Sequence, residues 1–452
     1  MDKIRTIKRN WTRNIKKIKK NFNSLIFLMF FPIVLHLSAI PIETQYFWIF
    51  FSIIYTLFFG FLWPKQTWIA LILILCYIFL YLLRKPNVYI SGIEYNIKGR
   101  IAKTSNKYAI INVNNNNLLI YLNKYTTPNR VYVGDIVEID AFIEKTDSKN
   151  YFALSNNIQY FIKKGYIKTI KNPDYSIDAF IENYSASGGD YFKKYWKLIL
   201  FGINNDSQDV IANAIKINII HLLVISGLHF EILFKISNKL IAKIRNKWVS
   251  NSIKYFCLIL IFYYLTIINN PVPALRAFIM HVFLMLFPKK NWSALVFSAL
   301  IIFAIDFNNI ISITFLLSYS ITLVILITNK IFTKWKINKV LRYILFIIIL
   351  YLYMVVWTIK MNNFINITGI IYSLVLAPII EIVYILSIFF SFSPLFLNLI
   401  YLILDKIIIM AAKFSIVIAT SLNISQKTLL IWMISYAFFL HIPLFFRPKR
   451  HK

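Results

Sequence analysis

QYFWIFFSIIYTLFFGFLW, residues 45–63, and TWIALILILCYIFLYLL, residues 67–83, follow each other with a three-residue gap. A helix needs about 20 apolar residues, at about 1.5 Å each, to cross a hydrocarbon core, and both runs come close to that length. A third run, 25–40, precedes them, and ahead of it residues 1–20 hold nine Lys or Arg against one acid, Asp2. A basic segment before a single apolar run is the pattern of a signal peptide, but three runs in close succession read as a retained anchor. Further runs lie at 219–236, 255–268, 272–287, 292–305, 310–328, 340–357, 365–389, 395–410 and 429–446. The expectation is a polytopic α-helical membrane protein with about 10–12 transmembrane helices.

Composition agrees. Apolar residues make up 59% of the 452 positions and charged residues 15%, whereas soluble domains sit nearer half and a quarter. The net charge of +32 suits a polyanion or an anionic lipid surface. It equally suits a composition rich in Lys, Asn and Ile, so charge alone does not choose. The two cysteines, Cys76 and Cys257, lie in apolar runs and encode no disulfide framework. Under the positive-inside rule the basic N-terminus stays in the cytoplasm, and three crossings carry residue 84 outside. Basic clusters at 239–247, 289–290, 330–339 and 447–452 then all fall on the cytoplasmic side.

Between 84 and 171 the pattern changes. Short segments rich in β-branched and aromatic residues, at 87–90, 95–102, 108–113, 118–122, 135–143 and 158–162, alternate with turn signals such as Ser91-Gly92 and Gly134-Asp135. About five strands in this length suggest a small barrel or sandwich, and the five-stranded OB-fold has a suitable size. Residues 172–208 read as an amphipathic, interfacial linker.

Asn218-Ile-Ile-His221-Leu-Leu-Val-Ile-Ser226-Gly227-Leu-His229-Phe-Glu231 is the most unusual stretch. Two of the six histidines, a Ser-Gly pair and an acid enter an apolar run, where polar groups are costly and face a cavity or a partner. On an unbroken helix His221 and His229 lie about 80° apart; a break at Ser226-Gly227 would instead expose backbone groups. Four roles stay open: histidines bonded to neighbouring helices, a Ser226 nucleophile with a histidine base, a metal site for which only two ligands are close, and the lining of a translocation path. Farther on, Pro271 and Pro273 suit a helix start, with Arg276 about a turn inside. Positive charge from both would attract an anion, although a lone Arg can equally snorkel to headgroups. Asp306 and Glu381 are isolated acids.

The order of these segments carries a resemblance. HLLVISGLH, residues 221–229, resembles the signature of the ComEC family of competence proteins, inner-membrane channels for DNA uptake in natural transformation. Pro273-Ala274-Leu275-Arg276-Ala277 with Met280 resembles the family's next motif, and Asp306 followed by Phe315-Leu316-Leu317-Ser318-Tyr319 another. The β segment with Gly134-Asp135 resembles its external OB-like domain, and Gly202 fits as well. Together these cover roughly residues 20–390. Two departures stand out: Asn218 or Ile219 where family members often carry Gly before the first histidine, and Glu231 where they carry a small residue.

Runs, charge and resemblance together lead to the expectation of a basic cytoplasmic N-terminus at 1–20, three transmembrane helices at 21–84, an OB-like extracytoplasmic domain at 85–171, the linker at 172–208, a channel domain at 209–447 and a basic cytoplasmic tail at 448–452. The implied function is passage of single-stranded DNA across the bacterial inner (plasma) membrane. His221, Ser226, Gly227, His229, Arg276 and Asp306 would line the channel. Lys98, Arg100, Lys103, Tyr108, Tyr121, Lys124 and Arg130 would receive the strand, since stacking rings among basic side chains suit sequence-tolerant binding. Many members continue into a metallo-β-lactamase-like domain; this sequence ends after its last apolar run and holds no His-x-His-x-Asp-His motif. The expectation is therefore a short form that is not an enzyme, with no catalytic residue, metal or cofactor. Its partners would be single-stranded DNA, membrane lipid, and a cytoplasmic motor or DNA-binding protein, because no Gly-rich nucleotide loop is present. Rival expectations are a transporter for a small solute or lipid precursor, and a membrane-embedded serine hydrolase.

Overall fold

The computed structural model describes residues 45–62, 92–105, 108–113, 116–122, 131–145, 158–171, 177–224, 226–269, 271–422 and 424–444, with single positions near 30–34, 72–79 and 152–156. The strand expected at 87–90 and most of the runs 25–40 and 67–83 lie outside these residues.

After helix α1 (Gln45–Leu62) come five strands: β1 (Gly92–Thr104), β2 (Tyr108–Val113), β3 (Asn116–Tyr121), β4 (Ile136–Lys145) and β5 (Ile158–Lys171). They close into a barrel in the order β1-β2-β3-β5-β4. Neighbours pair antiparallel, including β4 with β1, except that β3 and β5 run parallel. Strand alternation sends every second side chain inward. Ala109, Ile111 and Val113 of β2 and Leu118 and Ile120 of β3 fill the interior with Val137, Ile139 and Ile167. The barrel interior is thus mainly aliphatic, and Tyr108 and Tyr121 face outward.

The helices α2 (Ile177–Ala186), α3 (Asp190–Phe201), α4 (Gln208–Lys216), α5 (Ile220–Leu223) and α6 (Gly227–Ala242) follow. Next are α7 (Lys247–Ile267), α8 (Val272–Leu286), α9 (Asn291–Ile305) and α10 (Ile313–Lys334). The last are α11 (Lys339–Asn362), α12 (Gly369–Phe389), α13 (Pro394–Lys413) and α14 (Gln426–His441).

The chain divides into two compact units. One comprises Arg84–Ala277 with Asn366–Val417. In it α3 packs against α2, α12 and α13, and Phe192, Tyr195, Trp196, Tyr384 and Tyr401 are buried together. The expected linker is therefore partly core. Its basic aromatic run reads as interfacial because the sequence does not reveal that Lys197 has acidic partners: its ammonium, fully buried, bonds Glu182 at 2.8 Å and Asp206. Asn398 accepts the Phe192 N–H at 2.9 Å, and Tyr195 donates to Asp405 at 2.8 Å.

The other unit comprises Met1–Leu83, Phe278–Ile365 and Ile418–Lys452. Here α10 packs against α9, α11 and α14. Tyr319 stacks on Phe315 with ring centroids 4.1 Å apart and donates to Ser298 Oγ at 2.9 Å. Ser312, Asn338 and Ser425 cap α10, α11 and α14 through side-chain oxygens, satisfying donors that a helix start leaves open.

Among the described residues six helical stretches are long and apolar enough to cross a membrane: α7, α10, α11, α12 and α13, and the stretch 220–242, which is interrupted at 224–226. The expected 10–12 include the runs 25–40 and 67–83, most of which lie outside these residues. The expected crossings at 272–287 and 292–305 form helices of 15 residues each, which reach about 22 Å against a core of about 30 Å. Run 395–410 extends to the 20 residues of α13.

Candidate functional site

The helix through the signature is broken. Val224 (φ −80°, ψ 144°) and Ser226 (φ −125°, ψ 169°) are extended, and residue 225 between them is outside the described set. Of the two geometries open to the sequence, the break is the one adopted, so His221 and His229 sit on separate helices, α5 and α6. Ser226 is the N-cap of α6 and His229, at N3, closes a capping box with it. The Ser226 backbone N–H donates to His229 Nδ1 at 2.9 Å. A nitrogen that accepts cannot carry the proton, so His229 is held as the Nε2–H tautomer. Its ring packs on Tyr384 of α12, centroids 4.3 Å apart.

Gly227 opens α6, and Arg276 of α8 occupies the space beside it. A Cβ on Gly227 would stand 2.3 Å from Arg276 Nη2 and 3.2 Å from the Pro273 carbonyl oxygen. Pro273, the second residue of α8, lies in the expected helix start, and Arg276 follows about one turn in with only 8% of its surface exposed. Phe230 stacks on Tyr264 of α7, centroids 5.5 Å apart, and Tyr264 donates to the Leu200 carbonyl at the end of α3. Gly202 ends α3 in the left-handed region (φ 70°), which glycine enters without strain. The Asn269 N–H reaches back to the Phe201 carbonyl at 3.0 Å. His221 has its Nδ1 buried with no hydrogen-bond partner.

Asn218 precedes this site in the left-handed conformation, φ 60°. Asparagine is the residue after glycine that best tolerates that region. The departure at Asn218 therefore preserves the backbone shape a glycine would give. Glu231 is exposed on α6.

The structure thus brings Ser226, Gly227, His229 and Arg276 together, with His221 on the preceding helix. Asp306 belongs to the other unit, where it follows α9 and accepts the Asn308 N–H at 2.9 Å. Sequence reasoning did not find Tyr384 or Tyr264, because a tyrosine in an apolar run carries no signal for a partner far along the chain.

On the barrel, Tyr108 and Tyr121 are direct cross-strand partners on the outer face of β2 and β3. Tyr108 meets Phe152 edge-on at 5.4 Å and Tyr121 meets Phe161 at 5.5 Å. Burial first, and Tyr121 second, hold the Tyr108 phenol above its usual pKa. Lys98 is exposed and lies across from Glu138 of β4. Arg100 and Lys103 line a cavity that includes neither tyrosine, and burial lowers the Lys103 pKa. Lys124 and Arg130 are outside the described residues. Among the described residues no cluster of three or more His, Cys, Asp or Glu is placed to hold a metal.

A multi-pass helical membrane protein with an inserted β-barrel and a broken helix beside a buried arginine is the class this architecture defines. Residues 201–449 match the family described as Competence protein, more than half of the chain, and the chain belongs to the competence protein family. Membership suggests a part in competence, the uptake of DNA. The chain is similar to an uncharacterized protein of Mycoplasma genitalium, 27% identical over 51% of this chain and 57% of that one. It is also similar to that protein's homolog in Mycoplasma pneumoniae, 28% identical over 42% and 48%. The matches thus span about half the length of these relatives. No solved structure matches the chain.

Proposed function

We propose that this chain lines a path for single-stranded DNA across the bacterial inner membrane, from outside to cytoplasm. The observation that carries this reading is the buried guanidinium of Arg276 set against Gly227 at the first turn of α6. A helix N-terminus presents partial positive charge and open N–H donors. With an arginine beside it, the break in the helix is a place for a passing phosphate.

The barrel supports the same reading as the receiving domain. Its strand order and its parallel β3/β5 pair fit an OB-like barrel, a fold whose strand faces take single strands on aromatic rings. Tyr108 and Tyr121 offer such rings on the outer face of β2 and β3. The basic loops orient the protein with both termini cytoplasmic and the barrel outside. Transport energy would come from a cytoplasmic motor, a DNA-binding partner or the membrane gradient.

One contact favours the hydrolase reading: Ser226 Oγ lies 3.3 Å from His229 Nδ1. That nitrogen already accepts the Ser226 backbone N–H. Its lone pair is committed, while a base must take the nucleophile's proton with that lone pair. We therefore assign no catalytic residue, and Ser226 serves as a cap.

Binding of a labelled oligonucleotide to the full chain in lipid nanodiscs, followed against salt, tests the proposal. Affinity should fall steeply with log[salt], and Arg276→Gln should lower that slope by about 0.7, one phosphate contact on a single strand. Absence of binding at low salt would overturn it and favour a transporter of small solutes.

A further inference from the structure

A cavity of about 400 Å³ opens between β1, the turn 131–134, α2, the loop after α3 and the C-terminal end of α7. Its polar lining includes Arg100, Lys103, Asp178, Glu182, Asn205 and Asn269. Glu182 is satisfied by Lys197 at 2.8 Å. Arg100 and Asp178 are different. They line the same space, yet neither has an ion pair among the described residues. Opposite charges in one cavity that do not meet each other are arranged for a ligand carrying both.

The acidic side is reinforced from behind. Asp135 is 1% exposed; its Oδ2 accepts the Tyr132 N–H at 2.7 Å and its Oδ1 has no partner. Burial first, and Asp135 after it, raise the Asp178 pKa, against an opposing hydrogen bond from the Val133 N–H. The carbonyl end of α7 adds partial negative charge. This side of the cavity favours a cation. On the basic side Arg100 uses only Nε, toward the Gly134 carbonyl at 3.3 Å, and its other donors have no partner among the described residues. The half-buried Lys103 also lines the cavity, its ammonium donating to Asn156 Oδ1 at 3.2 Å.

Position selects the source of the ligand. The cavity is closed by Thr266–Asn269, where α7, a 21-residue helix apolar enough to span a bilayer, comes to its end. About 31 Å of helix brings that end to the level of the lipid headgroups. A DNA strand or an anionic lipid would satisfy Arg100 and leave Asp178 and Asp135 facing negative charge. A phosphate joined to an ammonium satisfies both sides, and Ile177, Val133 and Ile268 give apolar wall for the glycerol.

We infer that this cavity holds the headgroup of a zwitterionic phospholipid, its ammonium toward Asp178 and its phosphate toward Arg100. A primary ammonium, with hydrogens to donate, fits better than a quaternary one. The inference rests on reading α7 as a membrane span and is independent of what the channel carries. The site would tie the barrel to the membrane surface through a lipid.

Native mass spectrometry of the full chain, released from nanodiscs of mixed ethanolamine, choline and glycerol phospholipids, tests this. The wild type should retain the ethanolamine lipid preferentially. Asp178→Asn should weaken that preference about tenfold, the size of one charge-assisted hydrogen bond, and move retention toward the anionic glycerol lipid. Arg100→Gln should weaken both lipids; the two variants thus move selectivity differently, which general unfolding would not do. Equal retention of all three lipids, or a preference that Asp178→Asn leaves unchanged, would overturn the inference. So would displacement of the lipid by an oligonucleotide, or binding of free phosphoethanolamine with no lipid retained.

Discussion

Gly227→Ala is the sharpest probe of the broken-helix site. The new Cβ would lie 2.3 Å from Arg276 Nη2 and 3.2 Å from the Pro273 carbonyl oxygen. The guanidinium must withdraw by about 1 Å to reach ordinary van der Waals contact, and with 8% of its surface exposed it has little room. Overpacking of this kind costs about 1–3 kcal/mol. Alanine recovers at most about 1 kcal/mol of helix propensity over glycine. The net expectation is a loss of about 1–2 kcal/mol, together with the lower salt slope of DNA binding expected for Arg276→Gln. Reversible unfolding in mixed detergent micelles, followed by tryptophan fluorescence, measures the stability part. The decisive arm is a double-mutant cycle with Arg276→Ala, which empties the space the methyl enters. If the clash is with Arg276, the double variant should regain about 1–3 kcal/mol relative to additivity. Equal destabilisation with and without Arg276 would refute the argument and leave the glycine serving the Pro273 carbonyl or the unfolded chain.

Asn218→Gly should change stability little, whereas Asn218→Ala should cost about 1–2 kcal/mol in the same unfolding assay, because alanine at φ 60° is strained. Lys197→Met should cost about 1–3 kcal/mol by removing the buried ammonium that Glu182 and Asp206 share, with Lys193 still 3.7 Å from Asp206; adding Glu182→Gln and Asp206→Asn should recover part of it. Burial raises Asp135 and Asp178 above the usual carboxyl value of 3.8, so the folded protein holds these protons more tightly than the unfolded chain. Their contribution is therefore greatest in acid and is lost as pH rises from about that value through the raised ones. Asp135→Asn with Asp178→Asn should gain on the wild type in neutral solution, and the difference should shrink toward pH 4; a difference that does not vary with pH would contradict it.

What the sequence made legible was local. Strand alternation at 108–113 and 118–122 marked β2 and β3, and Ser226-Gly227 in an apolar run marked a possible break, because each signal lies within a few residues of its cause. The lengths of α8 and α9 were less legible: an apolar run shows that a segment is buried, not whether it spans. Nor did the run 172–208 disclose that Phe192, Tyr195 and Trp196 are core, since their neighbours Lys193, Lys194 and Lys197 look solvated until Glu182 and Asp206 are seen. The partners of the site residues were out of reach altogether. Tyr384 reaches His229, and Asp178 shares a cavity with Arg100, only through the packing of distant segments.

Two positively charged places among the described residues differ in what surrounds the charge, and that difference separates their roles. At Gly227, Arg276 stands beside a helix N-terminus, so both sources of charge are positive and the matching ligand is a plain anion such as a phosphodiester. At the barrel base, Arg100 and Lys103 stand across a cavity from Asp178, with Asp135 behind it and the carbonyl end of α7 alongside, so the matching ligand carries both signs. A strand that passes the first would be repelled from the acidic wall of the second. Charge arrangement alone would thus keep a polyanion from lodging where a lipid ties the barrel down.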